Sequence, residues 1–320
     1  MRLGLLCFLF CIAMSSSIDV VLKLASFSMN PFQMAFWRFL CGGLFCLPVA
    51  VRTMRRMKLG FSVDVLASFL CSGLICVALS TGCYQLAIAM GKASVVSVLY
   101  CCNPLFVVVA ARWMLKERIT PDVILSSVLY LAGMLVILVS QSERTSMISC
   151  VFTLLASAFF AVYNVLGQKW IQRFPPVMYV TFSCLFGAVE LLLLIIISHT
   201  AGWSVWAGRH GLSALADIPL TSQISGQMVL VLLYIGIVAT GLNYLALQIA
   251  TRELSAITAS LIFYFKLILS PFLAWTVLGE SIHQSLKAAV VLILLALLVK
   301  PLSARLGRVG GGRGSLHGKQ

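Results

Sequence analysis

Five ionisable side chains stand inside stretches that are otherwise apolar: Asp19, Lys23, Arg38, Glu190 and Lys266. An ionised group at the centre of a lipid bilayer costs at least about 2.5–3.5 kcal/mol on insertion scales, so such residues face a wet cavity or a partner of opposite charge. Lys266 is the sharpest case, because it falls midway along its apolar run, within Phe263-Tyr264-Phe265-Lys266-Leu267, with no acid on that run. It is expected to bind substrate or to couple its movement, the competing reading being a structural pairing with Glu190. Asp19 and Lys23 are spaced i to i+4 with the acid first, which lets them pair along one helix face while Lys23 snorkels toward the surface. Asp19 also precedes a short turn near Ser28 by about as far as Arg38 follows it, so the two share a depth of roughly 10–12 Å below the membrane surface. The expected arrangement is a cluster with Asp19 between Lys23 and Arg38. Arg38 could instead tie its helix to its neighbours, and Glu190 suits a proton site as well as a pairing with a lysine. Tyr84, Asn103, Asn164, Asn243, Tyr244 and Tyr264 are the polar groups expected nearby, each with an interhelical hydrogen bond as its alternative role.

Other chemistries lack their residues. HExxH, GxSxG, P-loop and CxxC spacings do not occur, and His199, His210, His283 and His317 lie in loops or the tail. The 11 cysteines fall in apolar runs, where they read as small hydrophobes. No catalytic residue, metal or cofactor is expected.

The elements that must carry these groups are membrane helices. Only 10% of the 320 residues are charged, 61% are hydrophobic and the mean hydropathy is +1.05, far from the composition of a water-soluble domain. Runs long enough to span a bilayer occur at about 3–25, 31–50, 66–88, 93–115, 121–140, 147–168, 176–198, 226–249, 255–277 and 283–302. The expected fold is all-α and integral to the membrane, with ten transmembrane helices. The net charge of +14 is sorted by loop rather than gathered into a nucleic-acid groove. Arg2, Arg52, Arg55, Arg56, Lys58, Lys116, Arg118, Lys169, Arg173, Arg252, Lys300, Arg305, Arg308, Arg313 and Lys319 fall on one side, against Lys92, Arg144 and Arg209 on the other. The positive-inside rule then places both termini in the cytoplasm. Residues 303–320, glycine-rich and basic, read as a disordered cytoplasmic tail drawn to anionic lipid. The start, Arg2 followed by apolar residues to Met14 and then three serines, also has the outline of a signal peptide; its single basic residue and the repeat below favour a retained helix.

The two halves of the chain correspond. Glu117 and Glu280 each close an apolar span before a polar turn, and Thr81-Gly82 with Tyr84 matches Thr240-Gly241 with Asn243-Tyr244. Placing Pro31 on Pro176 sets Asp19 over Asn164 and Lys23 over Gln168. Residues 1–140 and 147–302 are therefore expected to be two five-helix repeats, and an odd helix number inverts the second copy in the membrane.

On these residues the chain resembles the EamA-like branch of the drug/metabolite transporter superfamily. The resemblance rests on Pro31 opening the second helix, Trp37-Arg38, Asn103-Pro104 ahead of Glu117, and Leu278-Gly279-Glu280, and it covers about residues 3–302. It implies a central cavity lined mainly by helices 1, 3, 4, 6, 8 and 9, with helices 5 and 10 peripheral. Two departures stand out: Pro271 comes a turn later than the family pattern, which puts the bend of helix 9 in question, and the loop at about 199–225 is long. Trp203 and Trp206 in that loop read as interfacial anchors.

The expected function is secondary transport of a small polar solute, anionic or zwitterionic like an amino acid, because the intramembrane charges sum to a net positive. The alternatives are a proton-coupled multidrug exporter, a nucleotide-sugar-type carrier and a non-transporting membrane scaffold. The partners expected are that solute and the lipid bilayer, with no nucleic acid; a homodimer is compatible with the sequence. The location expected is a cell inner membrane. Reporter fusions after Lys58 and after Ser140 should report opposite sides of the membrane, and a tail beyond Leu302 found outside the cell would refute both the topology and the inversion.

Overall fold

The computed structural model describes residues 2–26, 29–58, 60, 62–91, 93–116, 121–140, 147–222, 224–279 and a few positions between 284 and 295. All of its regular elements are helical. Helix α1 (Arg2–Ser26) is followed by α2 (Pro31–Arg56), which starts where Asn30 Oδ1 accepts the Phe32 amide at 2.9 Å and Pro31 fills the first helical position. One long span then runs through α3 (Val63–Gly73), a π-helical segment (Leu74–Thr81) and α4 (Gly82–Met90). The next is broken, with α5 (Ala93–Tyr100) and α6 (Asn103–Met114) either side of Cys101-Cys102. Helices α7 (Pro121–Ser140), α8 (Met147–Trp170) and α9 (Pro176–Ser198) follow, then a short α10 (Ala201–Arg209) in the long loop. A second composite span joins α11 (Gly226–Leu233), a π-helical segment (Tyr234–Leu242) and α12 (Asn243–Leu254). A second broken span, α13 (Ala256–Ser260) and α14 (Ile262–Leu278), closes the described fold.

Among the described residues eight helical stretches are long and apolar enough to cross a bilayer. They coincide with eight of the ten expected spans, and α7 lies where the fifth was expected. Apart from those few positions, the tenth expected span lies outside the described residues, as do Glu117 and Glu280. The break in the ninth span falls at Leu261, between α13 and α14, and the backbone runs as helix through position 271. That break comes ten residues before Pro271.

The two π-helical segments sit at matching places. Each ends at the Thr-Gly pair read from sequence, and in each the threonine hydroxyl bonds a carbonyl five residues back: Thr81 Oγ1 to Cys76 O at 3.1 Å and Thr240 Oγ1 to Ile235 O at 2.6 Å. A π turn widens the helix and misaligns its hydrogen-bond ladder; in hydrocarbon the displaced carbonyls need a substitute donor, which the hydroxyl provides.

Helix backbones also approach closely at or beside these segments. A Cβ on Gly42 of α2 would lie 2.7 Å from the Gly236 carbonyl oxygen in the second π segment, and one on Gly73 would lie 2.7 Å from the Gly187 nitrogen of α9. Such backbone-to-backbone packing is how membrane helices gain association energy where lipid competes for apolar contact. The break before Asn103 is tied to α8 by two reciprocal bonds: Ser157 Oγ donates to Tyr100 O at 3.0 Å and Asn103 Nδ2 donates to Ser157 O at 2.9 Å.

The long loop is folded onto α2. Asn30 Nδ2 donates to Ala214 O, Gln33 Nε2 to Leu220 O and Ser222 O, and Trp37 Nε1 to Leu220 O. The Trp203 indole N–H bonds Leu215 O at 3.0 Å, so it braces the loop as well as adding an aromatic surface, while Trp206 stacks on His210 and remains 44% exposed.

Gly42→Val is expected to lower the stability of the purified protein by about 1–3 kcal/mol through overpacking. Gly208→Ala, which meets open space, should stay within about 0.5 kcal/mol of the parent. Equal melting of all three proteins would contradict the close approach of α2 to the π segment.

Candidate functional site

The carboxylate of Asp19 is 3% exposed and is held by four side chains from three other spans. Oδ1 accepts from the Tyr84 hydroxyl on α4 at 2.8 Å and from Lys266 Nζ on α14 at 3.0 Å. Oδ2 accepts from Ser97 Oγ on α5 at 2.9 Å and Ser270 Oγ on α14 at 2.8 Å, and stands 3.0 Å from Lys266 Nζ. Two oxygens offer about four acceptor positions, so this acid is fully solvated by protein. The ammonium of Lys266, itself 3% exposed, also lies 5.3 Å from the centre of the Tyr100 ring, a favourable cation–π distance.

This geometry corrects the expected cluster. Among the described residues the ion-pair partner of Asp19 is Lys266, not Arg38, and Lys266 does not pair with Glu190. Equal depth placed Asp19 and Arg38 at one level, but the direction each side chain takes is set by helix rotation, which depth does not fix. The cavity stripe on α1 comprises Ser15, Ile18, Asp19 and Leu22, one face at helical spacing, and it stops short of the half-buried Lys23.

The pair borders a cavity between the helices. Of the expected site residues, Asp19, Arg38, Tyr84, Asn243, Tyr244 and Lys266 line it. Ser80, Thr81, Tyr100, Phe160, Leu247 and Phe263 complete much of the wall. Its residues come from the six spans that the family resemblance implied, with Arg38 adding the second. Tyr100 joins Tyr84 at 4.7 Å, Phe263 at 5.8 Å and Phe160 at 6.0 Å between ring centres, so one wall is aromatic.

Arg38 is 5% exposed, and its guanidinium lies 4.7 Å from the centre of the Phe39 ring. Its Nε has no hydrogen-bond partner, and among the described residues no carboxylate lies within ion-pair distance. Lys23 and Tyr264 lie outside the cavity wall, and so do three further expected residues. Asn103 is spent on the α8 carbonyl described above, Asn164 is buried on α8 with Oδ1 unpartnered, and Glu190 is half-buried on α9 with Oε2 unpartnered. Sequence reasoning missed Ser97 and Ser270. Serine is common in membrane spans and carries no charge cost, so nothing marks these two apart from the many others.

Asp19→Asn should strand Lys266 in a dry site and cost on the order of 3–5 kcal/mol of stability. Adding Lys266→Met should restore most of that loss in thermal melts, whereas adding Arg38→Gln should not. The opposite rescue pattern would refute the pairing.

The model of the EamA-like transporter family matches residues 2–139 and again 147–299. A protein of Clostridium kluyveri named an uncharacterized transporter is 30% identical over 278 residues, covering 85% of this chain and 84% of its own. The uncharacterized transporter YdfC of Bacillus subtilis is 26% identical over 256 residues, covering 78% and 75%. A solved crystal structure superposes with a TM-score of 0.69 over 94% of this chain and 97% of its own at 18% identity, a likeness of fold.

Proposed function

The chain belongs to the EamA-like transporter family, and from that premise we propose that it is a secondary active carrier of a small polar solute, anionic or zwitterionic, that binds in the central cavity. The observation that carries this reading is electrostatic. Lys266 and Asp19 neutralise each other across 3.0 Å, which leaves the buried Arg38 as the uncompensated charge in the cavity wall. A desolvated guanidinium with an unpartnered N–H favours a carboxylate or another planar oxyanion, which it binds through two parallel hydrogen bonds. A cationic drug would meet repulsion from Arg38, and the one acid in the wall is already satisfied by four donors.

Asp19 and Lys266 then form the coupling pair. Protonating Asp19, or displacing Lys266 from it, removes the charge that holds α1, α4, α5 and α14 at one point, so the load in the cavity is linked to the packing of four helices. The paired π segments and the twofold family match support two structural repeats, which in this reading are inverted, comprise residues 1–140 and 147–302, and exchange conformations to give alternating access. Both termini and the tail 303–320 are assigned to the cytoplasmic side of a cell inner membrane.

The test is a panel of small carboxylates, zwitterions and cationic drugs scored by thermal stabilisation of the purified protein, since a ligand that binds the folded state raises its stability. Carboxylates or zwitterions should stabilise the parent protein and lose at least about tenfold in affinity in Arg38→Gln, equivalent to about 1.4 kcal/mol. A response confined to cationic drugs, or one unchanged in Arg38→Gln, would reject the proposal.

A further inference from the structure

Two helix faces that line the cavity continue as polar stripes toward the end of the bundle that holds Lys169 and Arg252. On α8, Phe160 lines the cavity, and Asn164 and Gln168 follow it at intervals of four residues. On α12, Tyr244 lines the cavity, and Gln248 and Arg252 follow at the same interval. That interval keeps residues on one side of a helix, so both stripes extend the cavity wall. The stripes are shut against each other. Gln248 is 0% exposed, and a Cβ on Gly167 of α8 would lie 2.9 Å from its amide carbon and nitrogen. Among the described residues neither end of that amide has a hydrogen-bond partner, and Asn164, 3% exposed, keeps Oδ1 unpartnered as well. The seam is fastened one turn further on, where Gln168 Oε1 accepts the Ala256 amide of α13 at 2.8 Å. The residue before that amide, Ser255, joins α12 to α13 with φ 90° and ψ 158°, a backbone region that serine holds only where its surroundings impose it.

We infer that the seam between α8 and the α12–α13 turn is the passage from the cavity to the cytoplasm, closed in this conformation, with Gln168 as its latch and Ser255 as a hinge strained while the latch holds. The inference rests on the carrier reading of the preceding subsection and its orientation in the membrane, and it adds the route and the residues that shut it. A seam that only had to stay closed would be filled by apolar side chains, which pack without leaving polar atoms unpaired. Here three buried polar atoms, Gln248 Oε1 and Nε2 and Asn164 Oδ1, lack partners, and water entering between the helices would supply them. The Gln168 bond and the tight packing at Gly167 favour the closed seam; the strain at Ser255 and the unpaired amides favour the open one. Opposed contributions of this kind keep two conformations close enough in free energy for a gate to work. When Gln168 releases the Ala256 amide, Ser255 returns to an ordinary negative φ, α12 and α13 move away from α8, and Gln248 and Asn164 meet water.

The experiment introduces Asn164→Cys into the full chain and treats inside-out membrane vesicles with a membrane-impermeant maleimide. The rate is read from the mass of the peptide bearing position 164, so each native thiol is followed separately, the buried Cys184 serving as the reference for general loosening. Adding Gln168→Leu should raise the rate at position 164 at least about fivefold, the equivalent of one hydrogen bond withdrawn from the closed state, with Cys184 unchanged. Adding Ser255→Gly should lower it at least about fivefold, because glycine takes up the closed backbone without strain and is nearly as good a helix cap as serine. Gln248→Leu, which fills the closed seam with an apolar group, should also lower the rate. These last two variants carry the test if Gln168→Leu does not fold. The inference is overturned if position 164 reacts equally in all four proteins or in none, if Ser255→Gly raises the rate, or if Cys184 rises in step with position 164. Labelling needs no solute, so in those cases Arg38-dependent binding in the solute panel would leave the carrier standing, and an unresponsive panel beside the expected labelling would reject the proposed solute and keep the passage.

Discussion

The structure is organised around the burial of one carboxylate. An ionised acid removed from water needs its lone pairs filled and its charge offset, and side chains from three other spans provide both. The donors come from Tyr84, Ser97, Ser270 and Lys266, which belong to α4, α5 and α14. These helices are distant in sequence from α1, so the acid fixes a long-range meeting point that apolar packing in lipid would specify poorly. The same arrangement makes the site sensitive. A change in the charge of Asp19 acts on four helices at once, whereas removing any single interhelical hydrogen bond elsewhere would act on one contact.

With that pair neutralised, the electrostatic character of the cavity passes to Arg38. Its surroundings connect binding to helix packing, because the Arg38 backbone lies against the second π segment: a Cβ on Gly236 would stand 3.0 Å from the Arg38 carbonyl oxygen and 2.7 Å from the Cys41 Cβ. Under the proposed carrier function, an anion drawn to the guanidinium would act on a helix whose contact with its neighbour is backbone against backbone. One turn away the Thr240 hydroxyl stabilises the π geometry, and Asn243 opens the α-helix that follows. The cavity-lining residues Asn243 and Tyr244 and the irregular backbone occupy the same stretch, in keeping with the frequent placement of π turns at functional sites. At the same N-terminal end of α2 as Arg38, the bonds from Asn30, Gln33 and Trp37 hold the long loop, which ties this helix to the loop.

The sequence by itself determined the class of the protein and most of its site. Hydropathy located the spans because bilayer thickness sets a length that few other structures satisfy, and a charge within such a span is conspicuous because it is expensive. That logic found Asp19, Arg38 and Lys266, and the correspondence of the two halves found the Thr-Gly pairs near the ends of both π segments. Tertiary structure alone decided who meets whom. A rise per residue gives depth but not rotation, so Arg38 and Asp19 could be placed at one level without being partners, and Glu190 could be counted as a cavity group although it lies on the wall of α9 away from the cavity lining. Neutral donors such as Ser97 and Ser270 carry no cost that would mark them in a sequence; they acquire a role only when helix packing brings them to within hydrogen-bond distance of a charge.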